Sequence, residues 1–355
     1  MCRADCYPPN ILLKLSKHPV LVLVYFVYPR KLFVFLNLFV RNCSPTYRNT
    51  YLRPKNHSMN PVIHTLDLHF LGHAETVAAF LIVADGEAAL VETGPYSTYE
   101  SLKTACAALG HPLETIKKVF LTHIHFDHAG SAWALAAMGA TIYVHPFGEK
   151  HLIDPSKLYN SARQIYKDQM DILWGKMEGI PAEQIHAMQH GEKIPFGNTA
   201  LTAWFTPGHA VHHIAWQLEK DLFVGDVGGC KIAGGIVVPP CPPPDIDIES
   251  WINSLNLIKS LPIKRLHLTH FGEITQIKKH IQQLESRLLR WANWMRPRFE
   301  SGQTLAEVTP QFQAYVDKEL ARYGIVGEQK EQYDSANPAW MSCMGLMRYW
   351  HVKNR

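Results

Sequence analysis

Cysteine pairs of the kind that staple small secreted domains or hold structural zinc are missing from this sequence. Its seven cysteines include no CxxC pair, and three of them, Cys2, Cys6 and Cys43, lie near the N-terminus. Small disulfide-linked domains carry a dense and usually even set of cysteines, and thiolate zinc sites carry closely spaced pairs. We therefore expect free thiols and a reducing, cytoplasmic location.

The sequence also lacks an apolar run long enough to cross a membrane, which takes about 20 residues. Its two apolar stretches, 20–27 and 32–40, are separated by YPRK at 28–31, and each Arg or Lys near the centre of a span costs about 2.5–3.5 kcal/mol. No small-residue cleavage site closely follows either stretch. We interpret residues 1–58 as an extension upstream of a start at Met59, either disordered or absent from the native protein. A membrane anchor and a targeting segment are the alternatives.

Positive charge is scarce in the main body of the chain. Residues 1–58 hold nine Lys and Arg against one acid, which leaves 26 basic and 30 acidic residues from Met59 onward. Nucleic-acid binding requires a basic face. The composition, 47% hydrophobic and 19% charged over 355 residues, is that of a globular protein. We expect a small-molecule substrate, no nucleic acid and no membrane partner; the sequence leaves open whether the protein forms a homodimer.

What the sequence has instead is a regular exchange of short apolar runs and helical patterns. Strands are predicted near 61–70, 77–84, 88–92, 117–122, 141–145, 200–206, 213–218, 221–226 and 264–269. Helices are predicted at 98–109, 128–140, 150–190 with breaks at Trp174-Gly175 and Gly179-Ile180-Pro181, and 247–260, and from about 274 to the end. The proline-rich stretch 234–247 cannot be a central strand. Two strand groups flanked by helices predict an α/β sandwich, with an all-helical C-terminal addition.

Histidine is abundant, and it is concentrated at one point. LTHIHFDHAG, residues 121–130, follows a predicted buried strand and carries His123, His125, Asp127 and His128. Residues two apart at a strand end point the same way, whereas the adjacent pair diverges. Imidazole nitrogens and carboxylate oxygens suit zinc without thiolates. Four donors do not complete two sites, so further donors are expected downstream.

Three more candidate donors lie at or just beyond the ends of later predicted strands. His209 follows the strand 200–206, Asp226 ends the strand 221–226, and His270 follows the strand 264–269. Strand ends on a rigid scaffold are a favoured place for site residues. The recurrence makes a merely histidine-rich loop a poor explanation of the first cluster.

With these residues the chain resembles the metallo-β-lactamase superfamily, whose HxHxDH motif is matched by 123–128. The resemblance extends over about 62–275 and implies a four-layer αββα fold with a dinuclear site at one edge. It implies a catalytic domain at 59–275 and a helical region at 276–355. It also implies that His123, His125 and His209 hold one metal, that Asp127, His128 and His270 hold the other, and that Asp226 bridges them.

Within the superfamily the chain is most similar to glyoxalase II-like hydrolases. Class B lactamases lack the bridging Asp, so Asp226 disfavours a β-lactamase, and Cys230 is expected to be an ordinary buried residue. The family's Asp-Thr-Gly reads Glu92-Thr93-Gly94 here, and we expect the longer carboxylate to support the site from behind the ligands. Flavin-linked diiron relatives carry Glu at the second ligand position, so His125 argues against oxygen reduction.

The predicted function is therefore a dinuclear zinc hydrolase that cleaves a thioester, ester or lactone through a bridging hydroxide, with Asp127 and Asp226 as catalytic residues. Iron or manganese are alternatives to zinc. Rival functions are a mononuclear iron dioxygenase acting on a persulfide, a non-catalytic metal-binding scaffold, and a β-lactamase. Of the neighbouring residues, His213 is expected to be buried and structural, His212 exposed or partly so, and Tyr166 a packing residue.

Overall fold

The structure is a computed structural model that describes residues 60–354, together with the backbone of four residues nearer the N-terminus. The chain divides into two units, 1–55 and 56–355. In the first, β1 Val27–Tyr28 pairs with β2 Lys31–Leu32 in an antiparallel hairpin. The predicted upstream extension over 1–58 otherwise lies outside the described residues. Among the residues that are described, no helix is both long and apolar enough to cross a membrane.

The first sheet of the second unit has six strands in sequential order. They are β3 Val62–Asp67, β4 Ala78–Ala84, β5 Glu87–Val91, β6 Lys118–Phe120, β7 Thr141–Val144 and β8 Ile185–Ala187. The pairs β3–β4 and β4–β5 are antiparallel, and β5 to β8 run parallel. Because parallel strands end at the same edge of a sheet, the residues that follow β5 and β6 are brought together there.

The second sheet also has six strands, again in sequential order. They are β9 Lys193–Phe196, β10 Thr199–Phe205, β11 Ile214–Leu218, β12 Asp221–Phe223, β13 Arg265–Leu268 and β14 Gly272–Ile274. All neighbours pair antiparallel except β12 and β13, which are parallel. The carboxyl ends of β12 and β13 therefore point to one edge, as those of β5 and β6 do in the first sheet.

Apolar side chains between the two sheets form the centre of the sandwich. Phe80 meets Phe223 with ring centroids 5.2 Å apart, and Phe120 meets Trp216 at 4.9 Å. The outer faces bury two further apolar cores against helices. The predicted four-layer αββα fold is thus confirmed.

The helices complete the outer layers. The first set is α1 Tyr99–Ala108, α2 Phe126–Ala129, α3 Ala132–Ala137, α4 Pro146–Ile153, α5 Ser156–Tyr166 and α6 Met170–Leu173. The second is α7 Ile248–Ser260, α8 Ile277–Glu300, α9 Leu305–Arg322, α10 Glu328–Ala336 and α11 Ala339–Lys353. Side chains of α8, α9 and α11 share one buried core with α7 and the second sheet, so the C-terminal helices continue its outer layer.

Two parts of the predicted pattern were wrong. The α-helices within 150–190 end at Leu173, at the predicted Trp174-Gly175 break, but β8 and β9 then follow where helix or loop was expected. The strand β14 was not predicted. Strands of three or four residues show too few alternations to be recognised from periodicity, and each of these is held in place by a neighbouring strand. The proline-rich stretch after Asp226 forms only an isolated bridge, Cys230 to Val238, as its prolines require.

Candidate metal centre

Four connections at one edge of the sandwich carry the seven predicted donors. The loop after β6 presents His123 and His125, and the short helix α2 that follows carries Asp127 and His128. His209 lies in the turn between β10 and β11, and His270 lies two residues beyond β13. Asp226 lies in a short 3₁₀ turn, Gly225–Gly228, because β12 ends earlier than predicted, at Phe223. The structure brings all seven together.

The seven side chains form two groups of donor atoms, each with its members within 4.8 Å of one another. In the first group, His125 Nδ1 lies 2.9 Å from His123 Nε2 and 3.0 Å from His209 Nε2. In the second, Asp127 Oδ2 lies 3.3 Å from His270 Nε2 and 3.6 Å from His128 Nε2.

Asp226 lies between the two groups and offers one carboxylate oxygen to each. Its Oδ2 is 3.3 Å from His209 Nε2 in the first group. Its Oδ1 is 3.2 Å from His128 Nε2 and 3.4 Å from His270 Nε2 in the second. This is the geometry a carboxylate needs in order to be shared by two cations.

Hydrogen bonds on the outer side of the site orient the histidine rings. Pro240 O accepts from His209 Nδ1 at 2.9 Å, and Thr76 O accepts from His270 Nδ1 at 2.7 Å. Since a carbonyl oxygen only accepts, the proton of each ring is on Nδ1, and the Nε2 lone pair faces the donor cluster. Partners of this kind fix the tautomer of metal-binding histidines in general.

A buried glutamate orients two of the other three rings, those of His128 and His123. Glu92 Oε1 accepts from His128 Nδ1 at 2.9 Å and from the Thr122 hydroxyl in a very short hydrogen bond. Thr122 Oγ1, having donated its proton, accepts from His123 Nδ1 at 3.0 Å. Glu92 therefore supports the site from behind the ligands, as predicted for the carboxylate of the Glu92-Thr93-Gly94 stretch.

The donor atoms that face the inside of the site are suited to binding a cation. His128 Nε2, His270 Nε2 and Asp226 Oδ1 are buried and have no hydrogen-bond partner. The unprotonated Nε2 atoms of His209 and His123 both face His125 Nδ1, at 3.0 Å and 2.9 Å. Buried polar atoms without partners are costly, and adjacent lone pairs repel each other unless a positive charge lies between them. Nitrogen and oxygen donors in this arrangement suit a divalent transition metal.

The electrostatics of the site also favour positive charge. Burial raises the pKa of Asp127, but electrostatic attraction to His128 and to His270, whose Nε2 lies 3.3 Å from Asp127 Oδ2, outweighs burial and lowers that pKa to about 2. Burial opposes a proton on His128, yet Asp127, Asp226 and Glu92 hold its pKa well above the usual value. The carboxylates are thus ionised at neutral pH and attract a cation to the space between them and the imidazoles.

The residues around the donors were predicted with mixed success. His213 is buried, as expected, with Nδ1 2.8 Å from Thr206 Oγ1. The expected exposure of His212 was wrong: it is 7% exposed, and its ring lies 5.8 Å from that of His125. The turn between β10 and β11 folds inward, so consecutive histidines are both buried. Cys230 is buried and belongs to neither donor group.

Tyr166 packs against Trp174 and Trp340, as expected of a packing residue. Sequence reasoning missed the supporting atoms Thr76 O and Pro240 O. Backbone carbonyls leave no mark in residue type, so only the proline-rich composition near position 240 gave a signal.

Comparisons with known proteins point to one family and its fold. A family model described as the metallo-beta-lactamase superfamily matches residues 74–270. A metallo-beta-lactamase fold-containing protein of Sulfurisphaera tokodaii is 28% identical over 181 residues, which are 49% of this chain and 69% of that protein. Its crystal structure aligns with a TM-score of 0.54 at 22% identity, covering 62% of this chain and 85% of that one, which supports the fold.

Two further relatives are named as hydrolases. A hydroxyacylglutathione hydrolase of Thermosynechococcus vestitus is 29% identical over 153 residues, 42% of this chain and 46% of that enzyme. The atrochrysone carboxyl ACP thioesterase of Aspergillus fumigatus is 25% identical over 207 residues, 58% of this chain and 53% of that enzyme. The chain thus spans about half the length of both enzymes. The family match, which covers more than half of the chain, shows that the protein belongs to the metallo-beta-lactamase superfamily.

Proposed function

We propose that the protein is a dinuclear zinc hydrolase that cleaves a thioester, with esters and lactones as chemically related substrates. The observation that carries this proposal is the position of Asp226, whose two oxygens face two separate groups of donors. His123, His125 and His209 would hold one ion, and Asp127, His128 and His270 the other. A donor set of imidazoles and carboxylates favours zinc; iron and manganese are the alternatives.

The chemistry required is attack on a carbonyl by water. Two divalent ions supply Lewis acidity at the carbonyl oxygen and lower the pKa of a bound water toward neutrality. Asp226 remains ionised because electrostatic attraction to His209, His128 and His270 outweighs burial and lowers its pKa well below the usual value. The Oδ1 atom of Asp226 is buried and has no hydrogen-bond partner. We assign this oxygen the role of orienting the attacking water and passing its proton toward the leaving group, with Asp127 beside it.

The named relatives support a thioester as the bond that is cleaved. One is a hydroxyacylglutathione hydrolase and another an acyl-carrier-protein thioesterase, and both names describe hydrolysis of an acyl–sulfur bond. Thiolates are good leaving groups, so hydrolysis needs little protonation of the departing sulfur. Asp226 disfavours the β-lactamase alternative, and the buried Cys230 offers no substitute ligand.

The proposal also includes a cytoplasmic location and a small-molecule substrate. The four described cysteines, Cys106, Cys230, Cys241 and Cys343, are buried and free, which suits a reducing compartment such as the cytoplasm. The excess of acids from Met59 onward favours a small-molecule substrate over a nucleic acid. Measurement of the molecular mass in solution would decide between a monomer and a homodimer.

The test is metal content and turnover measured on the same samples. The full chain, Asp226→Ala and the control Asp334→Ala, whose carboxylate is on α10 and pairs with Lys330, would be analysed for metal. They would then be assayed on thioesters, lactones and a cephalosporin. About two zinc ions per chain, with thioester turnover in the wild type and control but not in Asp226→Ala, is the expected result.

Metal identity separates this proposal from its rivals. One iron per chain without hydrolysis would favour the persulfide dioxygenase and contradict the hydrolase. Two ions without turnover on any of these substrates would favour a metal-binding scaffold. Turnover of the cephalosporin alone would favour a β-lactamase.

A further inference from the structure

The proline-rich loop after Asp226 has its carbonyl groups held one by one. Five successive carbonyl oxygens, from Ile236 to Pro240, accept hydrogen bonds, and only one of the donors is a backbone amide. The donors are, in order, Tyr333 Oη at 2.5 Å, Arg287 Nη1 in a very short bond, Cys230 N at 2.8 Å, Asn337 Nδ2 at 3.3 Å and His209 Nδ1 at 2.9 Å. The loop cannot pair as a strand because its prolines, at 239, 240, 242, 243 and 244, have no amide hydrogen. Side chains supply most of the hydrogen bonds to its carbonyl groups instead.

Three of these donors come from the C-terminal helical region. Arg287 is on α8, Tyr333 is on α10, and Asn337 lies between α10 and α11. Farther along the loop, Arg348 of α11 donates to Pro244 O at 2.9 Å. The C-terminal helices therefore determine the path of a loop that is connected directly to the metal centre, because Pro240 O is the partner of His209.

Two buried polar side chains hold the residues on either side of Pro240. Cys241 N donates to Ser342 Oγ at 3.1 Å, and Ser342 Oγ donates to Asn337 Oδ1 at 3.1 Å. Asn337 Nδ2 in turn donates to Pro239 O. Ser342 is fully buried and Asn337 is 9% exposed. The side chains of Ser342 and Asn337 thus form a closed chain of hydrogen bonds around the Pro240 peptide unit.

The packing of α11 against the loop leaves no room for adjustment. A Cβ atom at Gly345 would lie 2.0 Å from Cys241 O and 2.9 Å from the carbonyl carbon of Pro242. The helix and the loop are therefore in backbone contact one turn away from Ser342, and a shift of α11 would shift the loop.

We propose that Ser342 and Asn337 are positioning residues of the metal centre. They fix the Pro240 carbonyl, the carbonyl fixes the His209 ring and its tautomer, and the ring presents Nε2 to the first donor group. This inference rests on the proposed function, since it concerns how well that group holds an ion. A purely structural role for the two residues would stabilise the fold but leave the affinity for the ion unchanged.

The experiment compares Ser342→Ala with Cys343→Ala. Cys343 is the next residue of α11, is equally buried, and contacts Thr309 of α9 instead of the loop. Stepwise affinities for zinc would be measured by competition with a chromogenic chelator, and the site would be observed through the visible spectrum of the cobalt-substituted full chain. Changes in groups that orient ligands typically cost about 10–100-fold in metal affinity. We expect a loss in that range for one of the two ions in Ser342→Ala, with an altered cobalt spectrum, and no loss in Cys343→Ala.

Two further variants keep the test decisive if Ser342→Ala does not fold. Ser342→Thr retains the hydroxyl and should restore the affinity. Asn337→Asp keeps the acceptor for Ser342 but replaces the donor to Pro239 O with a carboxylate oxygen, so it should weaken the same ion. The positioning role would be overturned by wild-type affinity for zinc in both Asn337→Asp and Ser342→Ala. Equal losses of affinity in Ser342→Ala and Cys343→Ala would overturn it too. In either case, two bound ions in the wild type would leave the proposed function standing. A wild-type chain that binds no ion would overturn both.

Discussion

Among single residues, Glu92 has the most demanding position. It is fully buried, has a backbone φ of 65°, and its Oε1 lies within hydrogen-bond distance of the Thr122 hydroxyl, His128 Nδ1 and Thr269 Oγ1. A non-glycine residue in this left-handed region is strained, and such strain is kept where a site requires it. The extra methylene of Glu relative to Asp is what lets the carboxylate reach these three groups.

Shortening Glu92 should therefore weaken the metal centre. In Glu92→Asp the carboxylate retracts from His128 Nδ1, and we expect about 10–100-fold weaker binding of one ion, as for other groups that orient metal ligands. Glu92→Gln keeps the length and one carbonyl oxygen, so its loss should be smaller. Chelator competition on both variants would check the order. Wild-type affinity in Glu92→Asp would contradict this role.

A second residue-scale prediction concerns the opposite end of β12, where Asp221 is buried. It accepts hydrogen bonds from Arg265 Nε at 2.5 Å and from His267 Nε2 at 2.8 Å. Burial raises the pKa of Asp221, but the hydrogen bonds from His267 and Arg265 outweigh it and lower the pKa. Because the folded pKa lies below the unfolded value of about 3.9, the stabilisation is present above that pH and is lost as the pH falls through the folded pKa.

The change that tests this is Asp221→Asn in the metal-free protein. At pH 7 the variant should lose about 1.5–3 kcal/mol of unfolding free energy, the usual worth of hydrogen bonds to a charged group. The difference from wild type should shrink as the pH drops below about 4. Denaturant unfolding at several pH values measures it, with Asp334→Asn, at a half-buried ion pair with Lys330 on α10, as the control. A difference that stays constant with pH would contradict the ionic origin.

At the scale of elements, the contact of α11 with the proline-rich loop is the tightest in the C-terminal region. Since a Cβ at position 345 would meet backbone atoms and not a flexible side chain, Gly345→Ala cannot be relieved by a rotamer change. We expect overpacking to cost about 1–3 kcal/mol. Thermal unfolding of the metal-free variant beside Ser335→Ala, on α10, would measure the loss. An unchanged melting temperature would show that the loop and helix can separate without cost.

The elements also show what a sequence can and cannot reveal. The seven donors were predictable because each follows a strand and has a distinctive side chain, and His123 to His128 are close in sequence. The three-residue strands β8 and β14 were not, because three residues show too little alternation; β8 also pairs with β7, about 40 residues earlier in the chain. His212 was misjudged for a similar reason: its burial depends on the inward fold of a turn. Pro240 O, a backbone atom, leaves no trace in residue identity.

At the scale of the whole molecule, the two sheets and the metal centre depend on each other. The first sheet supplies four donors through β6 and α2, and the second supplies His209, Asp226 and His270. An ion that binds donors from both sheets closes the edge of the sandwich. In its absence, the ionised carboxylates are compensated only by protonated imidazoles such as His128. Burying these charges is costly and disfavours the folded state.

Metal binding should therefore stabilise the entire fold. A ligand that binds only the folded state raises the free energy of unfolding by about 2.7 kcal/mol when its free concentration is 100 times its dissociation constant. In chains of 150–250 residues, each kcal/mol of unfolding free energy corresponds to about 2–4 °C in melting temperature. We expect zinc to raise the melting temperature by several degrees on this scale and a chelator to reverse the shift. Asp226→Ala, which removes the donor shared by both groups, should show a much smaller shift. Equal melting temperatures of the wild type with and without zinc would contradict this prediction. They would mean that an ion does not stabilise the contact of the two sheets at this edge, and that the absence of hydrogen-bond partners for His128, His270 and Asp226 has another cause.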